Sequence, residues 1–128
     1  MAHEIIHTDK APAAIGPYSQ ATKGAANLFT SGQLGINPVT GELPQDFTAQ
    51  ARQAFENVKA IVEAAGGSMQ NVMKITIFLT DMANFPAVNA VMQEYCSAPF
   101  PARHRAFRGA PCDGGPPAGE VGAYHRRG

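Results

Sequence analysis

Residues 48–80 read TAQARQAFENVKAIVEAAGGSMQNVMKITIFLT and decide the fold, because they predict a helix followed by a buried strand. Apolar residues recur at helical spacing in the first part, and Gly66-Gly67 is typical of a helix C-terminus. Residues 72–80 are dense in Ile, Phe, Leu and Thr, which favour a central strand. The buried positions expected are Ala51, Phe55, Val58, Ile61, Val62 and Ala65 in the helix and Ile75, Ile77 and Leu79 in the strand.

The chain before this stretch predicts short strands and an extended arm. Ile5-Ile6 suits a first strand, and residues 12–17 begin and end with proline, which excludes a regular helix. Residues 28–31, Leu-Phe-Thr-Ser, read as a buried strand. The turn signal in residues 37–41, Asn-Pro-Val-Thr-Gly, then predicts a hairpin that returns through Leu43.

A second helix is expected to begin at Asn84, a good N-cap residue, and to end before Pro99. Its buried stripe is Phe85, Val88, Val91, Met92 and Tyr95. Each helix has only one apolar stripe to cover, so we expect a two-layer α+β fold with both helices on one face of a mixed sheet. The order is β-β-α-β-α, and the sheet needs a closing strand after Arg103.

The residues that follow do not favour that strand. Residues 104–128 contain no Ile, Leu or Met and one Val, with six Gly, three Pro and four Arg. Strand formers are scarce and strand breakers abundant.

The chain of 128 residues is expected to form a single domain over 1–128, because it is too short for two packed cores.

Composition narrows the class of partner. Ten basic and ten acidic residues balance, so the overall field does not favour nucleic acid or an anionic membrane. No stretch approaches the roughly 18 apolar residues of a membrane span, and no basic segment with an apolar run begins the chain. Cys96 and Cys112 lack the spacing of a zinc site and are expected to be reduced. These features predict a cytoplasmic protein.

Three distant stretches supply groups for one site. Gly16-Pro17-Tyr18 offers an aromatic wall, Ser31-Gly32-Gln33 a hydroxyl beside backbone N–H donors, and Pro101-Ala102-Arg103 a guanidinium fork that suits a carboxylate. No P-loop, dinucleotide fingerprint or metal-ligand cluster accompanies them. The combination predicts a small anionic substrate and no cofactor.

These stretches belong to an ordered series of motifs. The series is Ala11-Pro12, Gly16-Pro17-Tyr18-Ser19-Gln20, Ser31-Gly32-Gln33, Asn37-Pro38, Thr40-Gly41, Gln50-Ala51-Arg52-Gln53, Asn57-Val58-Lys59-Ala60, Ala64-Ala65-Gly66, Val72-Met73-Lys74, Thr80-Asp81-Met82, Phe85, Val88-Asn89 and Pro101-Ala102-Arg103. Through it, residues 11–103 closely resemble the Rid family of reactive-intermediate deaminases, also called the YjgF or L-PSP family. The resemblance implies a chorismate-mutase-like fold, β-β-α-β-α-β with a further strand, that forms homotrimers with sites between subunits. It also implies hydrolysis of 2-imino acids to 2-keto acids.

The resemblance also implies roles for single residues. Arg103 clamps the substrate carboxylate, Ser31 and the N–H of Gly32 contact the imine or carboxylate, Tyr18 walls the cleft, and Asn89 lies near the ligand. From residue chemistry alone, each has a structural explanation as well. These are a solvated Arg in a proline-flanked loop, a turn Ser, an aromatic ring at a subunit interface and an exposed helix Asn.

The ending departs from the family pattern. Members usually continue with a Val-rich strand, a Leu-Pro turn and a last strand that carries a water-handling glutamate. Counted without gaps, that glutamate falls on Ala118, and the nearest acid is Glu120. A two-residue slip preserves the alternation of strand faces, so Glu120 is the expected catalytic acid or base. His104 and Cys112 are substitutes for that role.

We hypothesise that residues 104–128 are an out-of-frame ending, with a genuinely divergent tail as the alternative. The motivation is the switch to Arg, Gly, Pro and Ala directly after Arg103, the composition expected of a misread GC-rich frame. Sequencing the DNA across codon 103 tests this. The hypothesis fails if no one-base change restores a Val/Ile-rich ending with a glutamate.

Two other classes of function remain open at this point. A noncatalytic, holdase-like or ligand-binding trimer would hold a small carboxylate without turning it over, and the displaced glutamate favours that reading. An endoribonuclease, as some family members are described, could use Arg105, Arg108, Arg126 and Arg127 on phosphates. No paired histidines or aromatic-basic surface accompany these arginines, so nucleic acid is disfavoured as a partner.

Overall fold

The computed structural model describes residues 3–24, 27–107 and 119–126. The strands are β1 (Glu4–Ile6), β2 (Ala21–Lys23), β3 (Asn27–Thr30), β4 (Gln33–Leu34), β5 (Val72–Leu79), β6 (Ala102–Phe107) and β7 (Gly119–Arg126). The helices are α1 (Phe47–Ala64) and α2 (Phe85–Tyr95), and each is approached through a loop or a short 3-10 turn. None of the helices described is long and apolar enough to cross a membrane.

The strands form one mixed sheet in the order β1-β2-β3-β7-β5-β6, with β4 paired to β7 beside the main path. The β5–β6 pair is parallel, and the other pairs are antiparallel. A parallel pair needs a crossover connection, and α2 provides it between β5 and β6. The predicted α+β architecture is confirmed.

Helix α1 has the predicted position to within a residue at each end. The carboxylate of Asp46 accepts a hydrogen bond from the N–H of Ala49 at 3.0 Å and caps the first turn. At the other end Gly66 has φ +90°, and the N–H of Gly67 donates to the carbonyl of Val62 at 3.0 Å. The left-handed glycine therefore ends the helix as expected.

Both helices bury their predicted stripes against the sheet, except that Tyr95 of α2 is only partly buried. Phe55, Val58 and Ile61 of α1 and Val91 of α2 are fully inaccessible. Ile75, Ile77 and Leu79 of β5 are buried in the same core. The two helices also contact each other, with the rings of Phe55 and Tyr95 stacked at 5.5 Å. Asn84 takes the N-cap position of α2, but its side chain makes no capping hydrogen bond.

The predicted hairpin after residue 41 is wrong, although its turn is present. Asn37 Oδ1 accepts hydrogen bonds from the N–H groups of Val39 and Thr40, and Gly41 adopts φ +75°. The return through Leu43 is not a strand. Pro44 has no N–H for a ladder, and its carbonyl accepts from Gln50 Nε2 at 2.7 Å instead.

The expectation that no convincing strand follows Arg103 is also wrong. The structure has β6 and β7 there, and β7 lies inside the sheet, paired with β3, β4 and β5. Ladder hydrogen bonds come from the backbone, and an inner position supplies partners on both sides of the strand. This context overrides weak intrinsic strand propensity.

Gln20 fastens the N-terminal arm to the domain. Its side chain is 2% exposed and makes four hydrogen bonds. Oε1 accepts from Thr8 N at 2.7 Å, and Nε2 contacts the carbonyl oxygens of Thr8, Ala11 and Pro12 at 3.0, 3.3 and 2.8 Å. The buried side chain of Gln20 therefore fixes the backbone of the arm between β1 and β2.

Replacing Gln20 by Leu is expected to lower the free energy of unfolding by about 2–3 kcal/mol, because buried backbone groups of the arm lose their partners. Urea denaturation followed by circular dichroism measures the change, and proteolysis should begin within residues 8–17. Gln70→Leu is the control, since Gln70 is exposed and accepts one hydrogen bond from Ser97 Oγ. Equal losses in the two variants would contradict the assigned role of Gln20.

Candidate ligand-binding site

Arg103 is the centre of the site. It is the second residue of β6, pairs with Ile75 of β5 and is exposed. Its Nη1 donates to Asn89 Oδ1 and lies 3.8 Å from Met92 Sδ. Its Cζ lies 4.6 Å from the centre of the Phe85 ring. The structure thus brings Arg103 and Asn89 together, as the sequence predicts, and adds two apolar neighbours.

A cleft of ≈380 Å³ opens beside this guanidinium. It is lined by Asn89, Met92, Gln93, Phe100, Pro101 and Arg103. One cation next to apolar side chains suits a small molecule that carries a carboxylate and a short apolar group. Met92, Gln93 and Phe100 were not predicted as site residues, because only the meeting of α2 with the 100–103 segment places them beside Arg103.

Ser31 and Tyr18 form a second group, which lies after β3 and in the arm before β2. Ser31 follows β3, and its Oγ donates to the carbonyl of Ser19 at 2.6 Å. Its backbone N–H donates to the carbonyl of Gln20 at 2.9 Å. These contacts hold the arm that carries Tyr18, a residue that is 52% exposed. Because the Ser31 hydroxyl already donates to Ser19, it is left to act as an acceptor toward a ligand, while the exposed Gly32 supplies the nearby backbone.

The two groups do not meet within one chain. Phe29 of β3 pairs with Tyr124, Tyr124 with Lys74, and Lys74 with Ala102 of β6. Three strand spacings therefore separate β3 from β6, which is about 14 Å. No contact among the described residues joins Tyr18 or Ser31 to Arg103. Within one chain, the predicted site residues therefore lie in two separate groups, which we call half-sites.

Glu120 lies in β7, opposite Leu34 on one side and Phe78 on the other. Phe78 is three residues along β5 from Ile75, the partner of Arg103. His104 is exposed in β6, and as the neighbour of Arg103 it belongs to the opposite face of the sheet. Ala118 and Cys112 lie outside the described residues, as do Arg108 and Arg127.

Other reactive groups do not form a competing site. Cys96 is a free thiol, and burial raises its pKa, which disfavours a nucleophilic thiolate. Within residues 3–24, 27–107 and 119–126, no group of three or more His, Cys, Asp or Glu could hold a metal ion.

A larger groove of ≈460 Å³ lies between the arm and α1, but its lining includes side chains of both charges, Lys10, Glu56, Lys59 and Glu63. It contains none of the predicted site residues, so the cleft at Arg103 is the better candidate.

Comparison with known proteins identifies the family of this chain. The family described as "Endoribonuclease L-PSP" matches residues 8–107, so the match ends four residues after Arg103. A RutC family protein of Pasteurella multocida is 53% identical over 104 residues, covering 78% of this chain and 81% of that protein. A 2-iminobutanoate/2-iminopropanoate deaminase of Escherichia coli is 50% identical over 103 residues, covering 78% and 80%.

Solved structures share the whole fold. RidA from an Antarctic Psychrobacter species superposes with a TM-score of 0.90 at 45% identity, covering 96% of this chain and 98% of that one. Escherichia coli TdcF with bound serine gives a TM-score of 0.89 at 39% identity, covering 98% and 99%. From the sequence match, the superposition and the ordered motifs, the chain belongs to the endoribonuclease L-PSP family, also known as the Rid or YjgF family.

Proposed function

We propose that this protein hydrolyses reactive 2-imino acids, such as 2-iminobutanoate and 2-iminopropanoate, to 2-keto acids and ammonia. The observation that carries the proposal is the guanidinium of Arg103, exposed beside a cleft whose lining includes Met92, Phe100 and Pro101. It is supported by relatives at about half identity that are named as deaminases of these two imino acids.

The chemistry requires little beyond orientation, because the imine carbon is already electrophilic. Arg103 holds the carboxylate through parallel hydrogen bonds. Water adds to the C=N carbon, the nitrogen gains a proton, and the carbon–nitrogen bond of the resulting carbinolamine breaks as the C=O bond forms. Ammonia and the keto acid leave, so atoms and charge balance without a redox partner. Tyr18, Ser31 and Gly32 wall the cleft and contact the imine end. Glu120, whose position in β7 pairs with Leu34 of β4 and is on the sheet face opposite to that of Arg103, comes with these residues from a neighbouring copy and moves the proton from water.

The proposal includes a homotrimer whose sites lie between subunits. The 14 Å between β3 and β6 is too far for one small acid to touch both half-sites, so a second copy of the chain has to bring its Tyr18 and Ser31 to Arg103. Half-exposed Ile5 and Phe29 leave apolar area on the sheet face away from the helices, which suits burial against another copy. Serine bound to TdcF, an amino acid with a carboxylate, fits the same type of ligand.

Sedimentation velocity is expected to show a trimer that loses population on dilution if residues 104–128 are authentic. The reason is that a Gly- and Pro-rich ending buries less branched apolar area than a Val-rich strand, which forfeits several kcal/mol. A tight trimer that withstands dilution and heating would contradict the weakened association.

Glu120→Gln is expected to lower kcat about 100-fold with little change in KM, because the amide cannot take a proton from water. His104→Ala and Cys112→Ala are the matched comparisons. Steady-state ammonia release at pH 7 measures all three variants. If His104→Ala or Cys112→Ala causes the loss and Glu120→Gln does not, the water-handling role belongs to that residue.

The direct test of the function is ammonia release from 2-iminobutanoate or 2-iminopropanoate generated in situ, compared with a no-protein control. Acceleration supports the hydrolase. Binding of 2-oxobutanoate without acceleration would identify the protein as a noncatalytic carboxylate-binding trimer, and salt-sensitive RNA binding would favour a nuclease.

Residues 1–128 form a single domain in this proposal, and the part after Arg103 departs from the family either as an out-of-frame ending or as a genuinely divergent tail. The family match that ends at residue 107 supports this departure. A cytoplasmic location is also proposed, and the free thiol of Cys96 is compatible with its reducing conditions.

A further inference from the structure

Three side chains of α2 surround one nitrogen and the face of the Arg103 guanidinium. Phe85, Asn89 and Met92 are spaced i, i+4 and i+7, so they lie along one side of the helix. The ring of Phe85 faces Cζ at 4.6 Å, Asn89 Oδ1 accepts from Nη1, and Met92 Sδ lies 3.8 Å from Nη1. We call these three side chains the guanidinium cradle.

The cradle restricts which edge of Arg103 a carboxylate can reach. A guanidinium offers a carboxylate two parallel hydrogen bonds either from both Nη atoms or from Nε and one Nη. The two N–H groups of Nη1 have Asn89 Oδ1 and Met92 Sδ as neighbours, so the Nη1–Nη2 edge is engaged by α2. The Nε–Nη2 edge remains for the ligand.

We propose that Phe85 is a positioning residue that holds Arg103 so that the Nε–Nη2 edge faces the cleft and takes the substrate carboxylate. This deepens the proposed function and rests on it. Phe85 is 6% exposed and begins α2, so its ring is fixed by the core. A cation held over an aromatic face within about 6 Å is attracted to it, which limits the orientations of the guanidinium before any ligand arrives.

The test compares Phe85→Leu with Phe55→Leu and Phe85→Tyr. Phe55 is also buried and stacks on Tyr95, and it is not among the described contacts of Arg103, so its replacement matches the loss of core packing. Phe85→Tyr keeps the aromatic face. Binding of 2-oxobutanoate is measured by calorimetry, and the Nε–H signal of Arg103 by proton–nitrogen NMR, assigned by its loss in Arg103→Lys.

The expected result is that Phe85→Leu raises the Kd for 2-oxobutanoate and the KM for 2-iminobutanoate about tenfold with little change in kcat. Phe55→Leu leaves both constants unchanged, and Phe85→Tyr restores them. In the free protein, the Arg103 Nε–H signal moves in Phe85→Leu because the ring current is lost, and stays in place in Phe55→Leu. In the wild type, 2-oxobutanoate shifts Nε–H downfield, since Nε donates to the carboxylate.

Three outcomes overturn the inference. If the Arg103 Nε–H signal is the same in Phe85→Leu as in the wild type, Phe85 does not position the guanidinium, whatever the activity of the variant. Ligand binding that leaves Nε–H unshifted places the carboxylate on the other edge. Equal losses in Phe85→Leu and Phe55→Leu reduce Phe85 to a packing residue. If neither the wild type nor any variant binds 2-oxobutanoate, the assignment of the Nε–Nη2 edge and the proposed function fail together. An Arg103 Nε–H signal that depends on Phe85 would still establish the guanidinium cradle.

Discussion

Arg103→Ala is expected to reduce kcat/KM for 2-iminobutanoate hydrolysis about 10³-fold. Two charge-assisted hydrogen bonds to a carboxylate contribute about 1.5–3 kcal/mol each, and alanine removes both. The substrate also loses the anchor that orients its imine carbon toward water. Ammonia release under kcat/KM conditions measures the effect, with circular dichroism to show that the variant folds.

Two further variants separate the effect of the positive charge of Arg103 from the effect of its two parallel hydrogen bonds. Arg103→Lys keeps the cation but cannot donate two parallel hydrogen bonds, so it should recover only a small part of the activity. Arg52→Ala is the matched control. Arg52 also holds a carboxylate with two hydrogen bonds, to Glu94 at 3.2 and 2.8 Å, but on the half-exposed outer side of the helices. Wild-type activity in Arg103→Ala would place the substrate elsewhere.

Gly35→Ala is expected to lower the free energy of unfolding by about 3–5 kcal/mol. Among substitutions that add one methyl group to the described residues, it is the one for which we expect the largest effect. A Cβ on Gly35 would lie 2.2 Å from the carbonyl oxygen of Gln50 and 2.8 Å from two other backbone atoms of that residue. The neighbours cannot yield easily, because Asn57 Nδ2 donates to the carbonyls of Leu34 and Ile36 at 3.0 and 2.9 Å. The segment is thereby held against α1 on both sides of the glycine.

Gly24→Ala is the control for this prediction. A Cβ on Gly24 has nothing within 4 Å, so the change should shift the free energy of unfolding by less than about 0.5 kcal/mol. Urea denaturation at one protomer concentration compares the variants, because association makes stability depend on concentration. If Gly35→Ala proves as stable as Gly24→Ala, the close approach of residues 34–36 to α1 is not a feature of the folded protein.

The difference between the confirmed and the wrong predictions has a physical cause. Helix α1 and strand β5 were predicted because burial on one face imposes a period of 3.6 or 2 on consecutive residues. Strand β7 carries no such pattern, and its place between β3 and β5 depends on backbone groups far apart in the sequence. The hairpin prediction read residues 37–41 correctly as a turn but could not show that β7 already pairs with β3 and β4.

The sequence by itself determined the family, the two helices and the buried face of β5, and it predicted Arg103 as a site residue, because these depend on local periodicity or on motifs in a recognisable order. Only the tertiary structure decided that Phe85 and Met92 join Asn89 beside Arg103, and that Tyr18 and Ser31 do not. The contacts join α2 to β6 across the crossover from β5, and the separation comes from the strand order of the sheet. Both result from long-range packing, which leaves no periodic signal in neighbouring residues.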